Sequence, residues 1–73
     1  MKPVEFDCAQ KGWITGVRTL LGSGIEVDLV HFDPEFNNPL CEAIAKAYNF
    51  QFTADPGLKS GAFRRISNER AAD

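Results

Sequence analysis

Cysteine is scarce in this sequence: Cys8 and Cys41 are the only two, and they lack Cys-x-x-Cys spacing. Two such thiols cannot build the disulfide framework of a small secreted domain, so both are expected to be reduced, in a cytoplasmic protein. Histidine is scarcer still, with His31 standing alone. Structural zinc takes paired ligands about two to four residues apart, and neither cysteine has such a companion, so no metal and no cofactor are expected. The same poverty leaves no readable Cys-His nucleophile, and no catalytic residue is assigned.

Long apolar runs are also missing. Nothing approaches the ~18 consecutive apolar residues that a membrane span needs, and Lys2, Pro3, Glu5 and Asp7 interrupt the stretch where a secretory signal would lie. The six glycines form neither Gly-x-Gly-x-x-Gly nor a lysine-bearing phosphate loop. With 73 residues one core is all the chain can build, and a deep substrate pocket would take volume from it. No small-molecule substrate is expected.

What remains is an ordinary globular composition, 44% hydrophobic and 25% charged, with a net charge of −2. Residues 1–36 carry three basic and six acidic side chains, and residues 37–73 carry five basic and four acidic ones. That polarity is too mild for a duplex-binding surface, where each neutralised phosphate needs a cation.

The pattern predicts an α+β domain over residues 1–67 with a frayed tail over 68–73. Trp13–Leu21 and Ile25–Phe32 are rich in β-branched, aliphatic and aromatic residues and flank Gly22-Ser23-Gly24, which reads as a hairpin. A three-residue loop pairs Leu21 with Ile25, Thr19 with Val27 and Val17 with Leu29, and on the other face Arg18 with Asp28 and Leu20 with Glu26. Asn38 and Pro39 read as the N-cap and first position of a short helix with Leu40, Ile44, Ala47 and Tyr48 on its apolar face, Glu42 and Lys46 paired at i, i+4, and Asn49 closing it. Phe50–Thr53 and Ala62–Ser67 complete a mostly antiparallel sheet of about four strands, with a type II turn at Asp55-Pro56-Gly57, a mobile loop over Leu58–Gly61 and room for an extra N-terminal strand.

Function is read from surface residues alone. The leading expectation is a non-enzymatic protein-binding module, a stoichiometric inhibitor of the phage type or an adaptor of a larger assembly. Its contact patch is placed on the acidic hairpin, at Ile14, Arg18, Glu26, Asp28, Phe32 and Glu35. A half-apolar sheet and an open edge also suit a homodimer. The alternative is a weak single-stranded nucleic-acid binder using Phe50, Phe52 and Phe63 to stack bases and Lys59, Arg64, Arg65 and Arg70 to hold phosphates.

Overall fold

A computed structural model describes residues 2–66. Six elements follow one another: β1 (Val4–Asp7), α1 (Trp13–Gly22), β2 (Val27–Val30), α2 (Pro34–Ala47), β3 (Phe50–Asp55) and β4 (Ser60–Arg65), with a 3-10 turn at Pro56–Leu58 between the last two. The four strands form one sheet in the order β1-β2-β4-β3. β1 and β2 run parallel, whereas β4 is antiparallel to both of its neighbours. The α+β class and the N-terminal strand are as the sequence predicts, but the sheet is mixed and two helices accompany it.

The hairpin over residues 13–32 is overturned. Trp13–Gly22 is a helix, and it buries Trp13, Val17 and Leu21, one residue per turn. Over nine residues the apolar positions fit a period of two as well as 3.6, and the β-branched Ile14, Thr15, Val17 and Thr19 bias the local preference towards a strand. Topology decides it, because parallel strands need a crossover and a helix supplies one. The Gly-Ser-Gly stretch is a helix stop rather than a strand turn. Gly24 has φ 80°, its N–H donates to the Leu21 carbonyl, and the Ile25 N–H donates to that of Leu20, the paired bonds of a Schellman ending. The predicted pairs of Arg18 with Asp28, Thr19 with Val27 and their neighbours therefore do not exist.

The second helix begins earlier than predicted, at Pro34 instead of Pro39. Asp33-Pro34 offers the same cap-and-proline pair as Asn38-Pro39, and it is reinforced in both directions. Asp33 Oδ1 accepts from the Glu35 N–H at 3.2 Å, while the Asp33 N–H donates to Asn37 Oδ1 at 3.0 Å. Pro39 is carried inside the helix. Asn49 takes the left-handed conformation expected of it, with φ 63°.

β3 and β4 pair without interruption from Phe50 with Arg65 to Asp55 with Ser60, so Ser60 and Gly61 belong to a strand rather than a mobile loop. The positive φ in the connection falls on Lys59, not on Gly57 as a type II turn would require. Ser67, the predicted tail and Arg70 lie outside the described residues.

One apolar cluster joins both helices to one side of the sheet: Trp13, Val17 and Leu21 from α1, Cys41, Ile44 and Ala45 from α2, Val27, Leu29, Phe50 and Phe63 from the strands, and Phe32 from the β2–α2 connection. Phe32, Phe63, Val17, Val27 and Leu29 are buried almost completely, each contributing ~1.5–3 kcal/mol relative to exposure. Among the described residues no helix is long and apolar enough to cross a membrane.

Candidate functional site

The helical layer presents an apolar groove between α1 and α2. Ile14 and Arg18, one turn apart on α1, face Leu40, Ala43, Ile44, Ala47 and Tyr48, and the space between them is ≈ 450 Å³. Alanines at 43 and 47 keep the floor low, and half-exposed Leu40 stands at the rim. Arg18 is, among the described residues, the single charged one lining the groove. Among the described residues its guanidinium joins no ion pair.

The six residues of the predicted protein-binding patch are dispersed by the helix at α1. Ile14 and Arg18 do meet, in this groove. Phe32 is in the core and 0% exposed. Glu35 lies exposed in the first turn of α2. Glu26 turns to β4, where its carboxylate accepts the Arg65 N–H at 3.0 Å. Asp28 is bound to Arg64 at 2.7 Å. Leu40, Ala43, Ala47 and Tyr48 were missing from the prediction, although Leu40, Ala47 and Tyr48 were recognised as the apolar face of a helix.

The sheet side away from the helices is different in kind. Glu5, Asp28, Val30, Thr53, Asp55, Ser60 and Ala62 are among the residues lining a shallow depression there, which mixes carboxylates with apolar surface and has Arg64 as the neighbouring cation. The predicted aromatic platform is not on this side. Phe50 and Phe63 are core residues, and Phe52 packs at 4.9 Å from Phe63 and 5.4 Å from Phe32 between ring centroids. Alternation along β3 and β4 turns all three rings towards the helices, because any apolar residue at those positions is needed to close the core. Of the predicted cations, Arg64 is engaged by Asp28 and by the Phe63 carbonyl, Lys59 is exposed in the β3–β4 connection, and Arg65 is exposed at the end of β4.

A third cluster gathers at the carboxyl end of the parallel pair β1/β2. The Cys8 N–H donates to the Val30 carbonyl, which sets Cys8 beside His31 in the backbone. His31 Nδ1 is 3.0 Å from Asp7 Oδ1, so with an ionised carboxylate Nδ1 carries the proton and Nε2 is left to accept. The Ala9 N–H and this bond to His31 together hold the Asp7 carboxyl below its ordinary range. Burial, followed by the charge of Asp7, pushes the half-buried Cys8 thiol up to about 11. Burial, followed by the charge of Cys8, pushes the Cys41 thiol up to about 12. Both are neutral thiols at physiological pH. Among the described residues no three His, Cys, Asp or Glu side chains are grouped to hold a metal.

In comparison with known proteins, the chain matches no family model, no curated protein and no solved structure.

Proposed function

We propose that this chain is a non-enzymatic protein-binding module, an inhibitor or adaptor, that docks on a larger protein through the groove between α1 and α2. The observation that carries the reading is the pairing of an apolar trough with the cation Arg18 at its side, which joins no ion pair among the described residues. A partner that inserts an apolar side chain flanked by a carboxylate would fill the first and neutralise the second. The test is affinity capture from native lysate with three baits: the wild-type chain, Arg18→Glu and Ala43→Trp, the last filling the groove. A partner retained by the wild type, resistant to nuclease and lost from both variants is expected. A partner bound equally by all three refutes the groove, and one released by nuclease favours the nucleic-acid reading, which now stands on cations without an aromatic platform.

A further inference from the structure

The sheet has two edges, and they are not protected alike. β1 is four residues long, follows Pro3 directly and carries Glu5, features that blunt an edge against pairing. β3 is six residues long, contains neither lysine nor proline, and runs in register with β4 without a bulge. Its outer backbone groups form a free row among the described residues, since β4 occupies only one of its sides.

Beside that free edge lies a cleft of ≈ 370 Å³ between α2 and β3, lined by Glu42, Ala45, Lys46, Phe50, Phe52 and Ile66, among others. An added strand would find both things it needs here: backbone partners along β3, and an apolar recess for the side chains that alternate towards the helical layer. Ile66 is 43% exposed at this place, so part of the recess is uncovered apolar surface.

From the free edge, the recess beside it and the charges above it, we infer that a second copy of this chain docks here, β3 against β3 in antiparallel register. Two-fold pairing of β3 keeps both helical layers on one side of the joined sheet. α2 enters β3 through the two-residue turn Tyr48–Asn49, so the two α2 helices also lie antiparallel across the axis. Glu42 and Lys46, one turn apart and both lining the cleft, then face Lys46 and Glu42 of the second copy. The same patch is its own complement, as an isologous interface requires. Within one chain these two side chains do not pair: neither takes part in an ion pair among the described residues, despite the i, i+4 spacing that favours it. Their charges are available for the intermolecular arrangement. This interface is separate from the α1/α2 groove and leaves it open.

The test is sedimentation equilibrium of the full chain across the micromolar range, with circular dichroism to confirm that every variant is folded. The wild type should rise from 8.1 kDa towards twice that mass. Glu42→Lys and Lys46→Glu each replace two attractions by two repulsions, and each should weaken the dimer on the order of tenfold. The double exchange E42K/K46E restores complementarity and should restore the wild-type dissociation constant. Thr53→Lys, which sets two lysines near the axis, should weaken it as well. A wild-type chain that stays at 8.1 kDa throughout overturns the inference and leaves the cleft to an extended segment of another protein. So does a folded single reversal that dimerises like the wild type, or a double exchange that fails to recover.

Discussion

Arg64 of β4 reaches across to Asp28 of β2, with 2.7 Å between Nη2 and Oδ1, and ties the two central strands together on the side that no helix covers. Both side chains are 41% exposed, so solvent screens the attraction and an exposed pair contributes ~0.2–1 kcal/mol. Arg64 Nη1 also donates to the Phe63 carbonyl at 3.1 Å, an anchor that does not depend on Asp28. Asp28→Asn is therefore expected to lower stability by no more than ~1 kcal/mol, and by less as salt is raised. Arg64→Ala should cost more, because the carbonyl bond and the packing of the arginine stem go with the charge. Urea midpoints at low and high ionic strength measure both.

Gly61 of β4 lies directly against the Phe52 ring of β3. A Cβ added there would stand 2.9 Å from the Phe52 ring, and that ring is held by Phe32 and Phe63 on its other sides. Gly61→Ala should consequently destabilise the fold by ~1–3 kcal/mol, the range for overpacking. The penalty should shrink in a Phe52→Leu background, where the ring edge is gone, and a double-mutant cycle of unfolding free energies would show this as coupling between the two positions.

Asp7 gives the fold an acid limb. Its carboxyl is held below the ordinary value of 3.8 first by the Ala9 N–H and then by His31. A folded-state pKa lower than the unfolded one means that the ionised form is favoured by folding. The stabilisation is full above the unfolded value and disappears as pH falls through the folded one. Asp7→Asn should flatten the stability profile below about pH 4, near the ordinary carboxylate pKa. A thermal-melt series between neutral and acid pH is the measurement, and a profile as steep as the wild type's would contradict the assignment.

The two thiols should be slow and unequal. With Cys8 pushed up to about 11 and Cys41 up to about 12, little thiolate exists at neutral pH. Iodoacetamide should label half-buried Cys8 first, and Cys41, which is 0% exposed, only when the fold opens. Asp7→Asn removes a like charge from beside the Cys8 thiolate and should speed its labelling at alkaline pH. Mass spectrometry of peptides after timed quenching follows each cysteine separately.

Much of the fold was legible where residues carry one meaning. Phe50–Phe52 with Ala62–Arg65 reads as a strand pair, and Asn49 reads as a helix ending, because no competing structure uses those residues so well. The misreadings arose where two structures use the same residues. A glycine after an apolar run serves a hairpin or a Schellman ending alike, and only the parallel pairing of Val4 with Val27, a contact across more than twenty positions, selects the second. Asp33-Pro34 and Asn38-Pro39 are equivalent as caps until Asn37 turns back to the Asp33 N–H. The groove was legible in part, as an apolar helix face at Leu40 and Ala47. Its other wall was legible as the pair Ile14 and Arg18, which share a face on a strand as well as on a helix; what was hidden is that this face turns towards α2.

The strand order has a consequence for how the chain comes together. β4 is the last element of the described chain, yet it sits in the middle of the sheet, between β2 and β3. During synthesis β1, α1 and β2 leave the ribosome first, and β2 keeps an unfilled edge until residues 60–65 arrive. Non-local pairing of this kind is slow to nucleate and exposes strand edges while it waits. A nascent chain halted before Ser60 would thus present two open strands at once, β2 and β3, which makes it the species most apt to be held by a chaperone or to aggregate.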